Sequence, residues 1–367
     1  MSFVTTHATR PEPSVGPSKP ISHRVVVARH GGPEVLTLVE TPIPEPGPGE
    51  VRIRVLAAGV SAYDLMFRRS GALPGTPRLP FTPGEDVVGI VDAIGPGVST
   101  LEVGRRVAGY TRSLGVGGGY AEHLCLGASE LVAVPEGVDP AEAVCVVVNY
   151  LTAHAALEVA GTKPGERVLV QGAGGGVGSA LLDLGRAAGL TVYGTASHHN
   201  HDLVRAFGAT PIDYHHEDVV TRIHALAGDG VDVVFDPVGG ARQIWRSYQT
   251  LRPGGRLVWF GVAASKRRGL RVIPTSFAMR GVLGLIPGRR VLTVDLDKGN
   301  AWYRRALTEL LRDLAAHKLT PIVAARIPLA EADQAHRLLE QGEYGGKVVL
   351  LTRAGEAASR RARLLRD

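Results

Sequence analysis

Between Arg24 and about Pro135 the apolar positions fall into short β-rich runs, HRVVVARHG, VRIRVLAAGV, DVVGIVDAIG, GRRVAGY, YAEHLCL and LVAVP, each cut off by Gly or Pro. Short strands with frequent turn residues predict a compact β barrel or sandwich. After Asp139 the pattern changes. PAEAVCVVVNYLTAHAALEVA has helical composition and length, with Pro140 suited to a first helical turn. Apolar strand runs then alternate with helical stretches: RVLVQ, a helix over 176–188, TVYGTA, a helix over 201–207, PIDY, a helix over 218–227, VDVVFD, 242–251, RLVWFGV and the apolar stretch GVLGLI at 281–286. Repeated alternation of this kind predicts a parallel, doubly wound sheet covered on both faces. The remainder predicts a helix over 300–317, a strand IVAARIPL, a helix over 330–341 and a closing strand KVVLLT, which pack back onto the first β domain.

Length and composition fit this division. At 367 residues, 44% of them hydrophobic, the chain exceeds what one core usually supports, so two domains are expected. The boundaries read as a disordered leader over 1–22, a β-rich domain over 23–147, an α/β domain of nucleotide-binding type over 148–285, a second part of the β-rich domain over 286–352 and a basic tail over 353–367. The net charge of +6 owes much to that tail, with Arg360, Arg361, Arg363 and Arg366, and a solvated tail accounts for it better than a nucleic-acid site. Cys125 and Cys145 form neither a disulfide framework nor a metal motif and suit a reducing cytoplasm. The leader has no apolar segment of signal-peptide length and no run of 18 apolar residues occurs, so a soluble protein without a membrane role is expected.

The most specific local pattern is QGAGGGVGSALLDLGRAAG, which follows the strand RVLVQ and opens an amphipathic helix. Ala173, Gly175 and Gly178 form an A-x-G-x-x-G variant of the dinucleotide fingerprint, with Gly176 and Val177 between the last two. Gly175 permits close approach of a pyrophosphate, Gly178 lets the helix lie tight on the strand, and N–H groups at the helix start hold the phosphates. An acidic residue at the end of the second strand would select NAD through its ribose hydroxyl. The chain has GTASHHNHD there, whose Ser197 and histidines offer donors for a 2′-phosphate, so NADPH is the expected cofactor.

HGGPEVL, AAGVSAYD, LPFTPGEDVVGIV, GRRVAGY, GGYAEH, NYLTAHAAL, GAGGGVG, FDPVGG, GGRLVWFG and YGGKVVL follow one another from about Arg24 to Thr352. In that order they resemble the quinone oxidoreductase-like (zeta-crystallin-like) medium-chain dehydrogenases/reductases. The resemblance implies an α/β protein with a GroES-like β-barrel catalytic domain and a Rossmann cofactor domain, catalysis lying in the cleft between them. It implies that Thr152 lies near the nicotinamide, Ser197 and Tyr214 near the adenosine phosphate, and Phe260, Gly261 and Val262 beside the nicotinamide half. Each of these also has a plain packing role open to it.

Zinc-dependent relatives hold their metal with Cys, His and Cys. The matching positions are Ser61, Glu85 and Val148, and the four-cysteine structural site is missing too, so no zinc is expected. Without a metal, hydride must reach a carbon already made electrophilic by conjugation, as in quinones, enones, alkenals and enoyl thioesters. Charge developing on the acceptor oxygen then needs donors. The family's cleft-lining turn is AAGVSAYD, in which Ser61 stands where Asn is usual, and Met66 and Leu73 stand where tyrosines often occur. Ser61 or Tyr63 is expected to polarise the acceptor, although Tyr63 also reads as a packed turn residue, and Asp64 fixes the turn or orients a cofactor hydroxyl. Arg267, Arg268 and Arg271 leave open a carrier-bound enoyl thioester as substrate, and the altered cleft leaves open an NADPH-binding protein without turnover that has nucleic-acid affinity. A homodimer is expected, with GVLGLI either pairing across a twofold axis or forming an inner strand.

Overall fold

A computed structural model of the chain describes residues 20–71, 76–111, 118–261, 272–296, 298–342 and 344–364. It opens with β1 (Ile21–Val27) and β2 (Leu36–Pro42), an antiparallel pair. Then come β3 (Glu50–Gly59), α1 (Ala62–Arg69), β4 (Asp86–Ile94), β5 (Arg106–Tyr110), β6 (His123–Gly127) and β7 (Leu131–Ala133). Alternation decides which face is buried: Val51, Ile53 and Val55 of β3 are sealed inside, while Arg52 between them turns outward to pair with Asp92 at 2.9 Å.

Two helices lead out of this barrel. Asp139 accepts a hydrogen bond from Ala141 N at 2.9 Å and Pro140 occupies the first turn, which starts α2 (Pro140–Cys145). A π-turn over Val146–Tyr150 joins it to α3 (Leu151–Ala160), which stops at Gly161 in the left-handed region, φ 60°. The whole helix, Pro140–Ala160, is long and apolar enough to cross a membrane, yet 72% of its most apolar window is buried within the protein. It is the central core helix between the two sheets, and Val144, Val146, Val147 and Leu151 are almost fully buried there.

The second sheet follows: β8 (Arg167–Val170), α4 (Gly176–Ala187), β9 (Thr191–Ala196), α5 (His201–Ala206), β10 (Thr210–Asp213), α6 (Val219–Ala227), β11 (Val231–Asp236), α7 (Ala241–Gln249), β12 (Leu251–Trp259), α8 (Val272–Gly284) and β13 (Arg290–Thr293). All neighbours are parallel, in the order β10-β9-β8-β11-β12-β13. The order reverses between β8 and β11, so a crevice opens at their C-terminal ends. The chain closes with α9 (Asn300–Ala315), β14 (Val323–Pro328), α10 (Ala332–Gln341), β15 (Lys347–Leu351) and α11 (Arg353–Leu364). Since β15 pairs with β3, the C-terminal part completes the first sheet, which runs β14-β15-β3-β4-β5-β7 with β6 also on β3.

The structure departs from the sequence expectations at four places. GVLGLI is not a strand: it lies at the end of α8 and in the turn beyond, with Leu283 buried while Val282 and Leu285 face outward. A short apolar run does not distinguish a helical face from a strand by periodicity. The cofactor sheet therefore continues past residue 285, to Thr293, because β13 is its edge strand. The C-terminal segment is no loose tail but α11, whose Gly355 lies against the Leu56 carbonyl and whose Ser359 and Ala362 are buried, while Arg353, Arg360, Arg361 and Arg363 stay exposed. Finally Ile21 and Ser22, expected in the leader, already belong to β1.

Candidate functional site

The glycine turn stands where the sheet order reverses. Gly172, in the left-handed region at φ 65°, leaves β8, and its N–H donates to Thr195 Oγ1 at 2.9 Å on the neighbouring strand. Ala173 is fully buried and its N–H donates to the Thr195 carbonyl at 2.8 Å. A Cβ on Gly178 would run into the Gly172 carbonyl and the Ala173 backbone, and one on Gly176 would strike Asn149, so helix, strand and π-turn meet at contact distance. Gly175 is different. It is exposed, and a Cβ there would meet only Gly172 O, at 3.4 Å. No side chain caps α4, which leaves N–H groups from Gly176 and Val177 onward at an open helix start. The space over Gly175 and the absence of a protein cap fit a pyrophosphate. Sequence reasoning missed one wall of this site: Gly346 N donates to Gly174 O at 2.9 Å, which brings the loop before β15 onto the turn.

The ends of β9 and β10 enclose a pocket of about 500 Å³ lined by Ser197, His198, His199, Asp213, His215 and His216. Ser197 Oγ and His199 Nε2 are 3.1 Å apart. Tyr214 is half exposed beside the pocket and its ring lies tilted against His215, ring centroids 4.2 Å apart. Of the donors foreseen for a 2′-phosphate, Ser197, His198 and His199 are brought together, along with His215 and His216, which were not singled out from the sequence; His201, the third histidine of that loop, is buried and does not line the pocket. Asp213 is the odd member, since a carboxylate opposes a phosphate. It is held below the usual carboxylate range by the His216 hydrogen bond and the His215 N–H.

Thr152 is buried on α3. Phe260 N donates to Asp236 O at 3.2 Å, and Gly261 passes so close to the Pro237 backbone that a Cβ would not fit. Both border the C-terminal ends of β11 and β12. Val262, Leu73 and the arginines 267, 268 and 271 lie outside the described residues.

The catalytic candidates cluster at the start of α1. Ser61 is its N-cap in a reciprocal capping box: Asp64 N donates to Ser61 Oγ at 3.2 Å and Ser61 N donates to Asp64 Oδ2 at 2.7 Å. Asp64 also accepts from Gly84 N at 2.8 Å and is 1% exposed, which makes it the anchor of the turn and keeps it from the cleft. Tyr63 is 44% exposed, and desolvation of its hydroxyl followed by the Glu85 charge raises its phenol above the usual range. Met66 is buried in α1 and faces no cleft.

Glu85, noted from the sequence only as a missing zinc ligand, is the residue that Ser61 touches: Oγ to Oε2 is 3.0 Å. Glu85 is buried just before β4, next to Asp86, whose Oδ2 is 2.7 Å from Lys347 Nζ. Gly59 is essential to that ion pair, since a Cβ there would collide with both side chains. Burial first, then the neighbouring Asp64 charge, pushes Glu85 up to about 8, and burial pushes Asp64 up to about 6. The third former ligand position, Val148, is a half-buried apolar residue in the π-turn. Among the described residues no group of three or more His, Cys, Asp or Glu side chains is arranged to hold a metal ion.

Comparison with known proteins gives the same frame. Residues 47–136 match the family "Alcohol dehydrogenase GroES-like domain", and residues 207–350 match "Zinc-binding dehydrogenase". The quinone oxidoreductase of Lama guanicoe is 33% identical over 340 residues, 89% of this chain and 96% of that protein. The synaptic vesicle membrane protein VAT-1 homolog of Rattus norvegicus is 34% identical over 342 residues, 89% of this chain and 83% of the other. The structure of Escherichia coli quinone oxidoreductase complexed with NADPH superposes with a TM-score of 0.80 at 28% identity, covering 90% of this chain and 99% of that one.

Proposed function

This chain belongs to the quinone oxidoreductase-like branch of the medium-chain dehydrogenase/reductase family, and on that premise we propose that it is an NADPH-dependent reductase of quinones or conjugated enones and alkenals that works without zinc. The observation that carries this reading is the uncapped helix start over Gly175, open to a pyrophosphate and flanked by the Ser197 and histidine pocket. NADPH, when bound, supplies the hydride. Ser197, His198, His199, His215 and His216 would hold its 2′-phosphate, the α4 N-terminus its pyrophosphate, and Thr152, Phe260 and Gly261 would border its nicotinamide half.

The chain's own contribution to the chemistry is polarisation of the acceptor. Ser61 is fixed by the capping box, so its hydroxyl needs no reorganisation as charge develops on an acceptor oxygen. Independence from zinc rests on the donor set, in which a hydroxyl and a carboxyl bind each other and the third position is apolar. The reading includes a homodimer formed at the outer edge of β13, supported by the exposed Phe277, Val282 and Leu285 on the neighbouring α8 and its following turn. Sedimentation at micromolar concentration gives twice the chain mass if this holds and the chain mass if it does not. NADPH consumption with a quinone, an enone and an enoyl thioester tests the function: turnover with the first two supports it, turnover with the thioester alone reassigns the acceptor, and none with any acceptor refutes it.

A further inference from the structure

A serine hydroxyl has one hydrogen and two lone pairs. In Ser61 one lone pair is taken by Asp64 N–H, and the other partner is Glu85 Oε2 at 3.0 Å. If Glu85 is ionised it only accepts, so the serine hydrogen must point at it and none is left for a substrate. With Glu85 carrying a proton, the carboxyl donates, both lone pairs of Ser61 are filled, and the serine hydrogen is turned free. The protonation state of Glu85 therefore decides whether Ser61 can act as a donor.

The surroundings favour the acid. Glu85 is 7% exposed. Asp64 on α1 and Asp86 at the start of β4 add negative charge, and the Tyr63 phenol is also near. Lys347 on β15 is the cation that draws it down, and its charge is already committed to Asp86 at 2.7 Å.

We propose that Glu85 is the proton reservoir of the cleft, a positioning residue that holds Ser61 as a donor and replaces the proton Ser61 gives away. This rests on the function proposed above. For an enone, hydride with its electron pair reaches the β-carbon and the C=C pair shifts to give an enolate. The Ser61 O–H bond breaks as its proton forms the new bond at the α-carbon or oxygen. At the same time the Glu85 O–H bond breaks and the Ser61 O–H bond is restored. Glu85 is left as a carboxylate and takes a proton from water before the next turnover. One hydride and one proton are consumed per acceptor, so the reservoir does the work that a metal does elsewhere by stabilising the oxyanion.

Two measurements test this together: infrared titration of the cofactor-free protein, and the pH dependence of kcat with an enone, each for the natural chain and for Glu85→Gln. The expected infrared result is a protonated-carboxyl band at pH 7 that fades as pH rises through about 8 and is missing from E85Q. Natural kcat falls through the same range. E85Q, whose amide still donates to Ser61 Oγ, loses the alkaline fall and is slower at pH 7 by roughly a hundredfold. An E85Q enzyme with natural kcat and the same alkaline fall overturns the proposal, as does a natural protein with no protonated-carboxyl band at pH 7. If E85Q does not fold, the infrared titration and kcat profile of the natural chain decide by themselves. If no acceptor supports NADPH oxidation, the functional reading fails, and the infrared result still shows whether Glu85 is held as an acid.

Discussion

Lys347 Nζ lies 2.7 Å from Asp86 Oδ2, with both side chains closed off from solvent. The pair ties β15, near the C-terminus, to the first residue of β4, directly beside Glu85. Burial opposes the Lys347 charge, and Asp86 more than compensates, holding the ammonium above the usual lysine range. Replacing Lys347 by Met strands a buried carboxylate and is expected to cost about 3–5 kcal/mol of unfolding free energy, read from denaturant midpoints. Adding Asp86→Leu recovers most of it. Because Lys347 also draws Glu85 down, the single variant holds the Glu85 proton to higher pH than the natural chain.

The two glycines of the fingerprint, Gly175 and Gly178, are expected to fail differently. Gly175 has φ −78° and free space around it, so Gly175→Val keeps unfolding free energy within about 1 kcal/mol while weakening NADPH binding by roughly tenfold or more. Gly178→Val has no room at all and loses roughly 2–4 kcal/mol of stability before binding is considered. Calorimetric binding and unfolding on the same preparations separate the two.

The pocket proposed for the 2′-phosphate offers imidazoles in place of lysine or arginine, with the Asp213 carboxylate among them. The double variant His198→Ala, His216→Ala removes two of its hydrogen-bonding groups and is expected to weaken NADP+ binding by roughly tenfold while leaving NAD+ binding nearly unchanged. Asp213→Asn strengthens NADP+ binding by removing the opposing charge. Calorimetric affinities for both nucleotides provide the check.

Glu85 also sets a slope in stability. Its affinity for a proton is higher folded than unfolded, so between the ordinary carboxylate range and about 8 the folded chain binds more protons. Its contribution is full below that range and is lost as pH rises toward about 8. Unfolding free energy measured from pH 5 to pH 9 is expected to fall with pH by less in E85Q than in the natural chain.

What the sequence made legible was local. The strand, glycine turn and helix around Ala173, Gly175 and Gly178 form one continuous stretch, Arg167 to Ala187, and the glycine spacing alone defines the turn. The histidine loop after β9 is equally local, though the approach of His215 and His216 depends on β10 pairing with β9. Glu85 was legible only as an absent ligand, because its meaning needs Ser61 brought across from the end of β3 and Lys347 from β15. The same holds for Gly346, which reaches the glycine turn only once the last strand has returned to the first sheet. GVLGLI misled because a six-residue stretch carries too little periodicity to separate a helix end from a strand.

The most direct test uses protein treated with a strong metal chelator, NADPH deuterated at C4, and an enone acceptor. The expected result is unchanged turnover with deuterium on the product's β-carbon. Turnover that vanishes on chelation and returns with zinc, or NADPH that binds but is never consumed, would contradict a metal-independent hydride transfer.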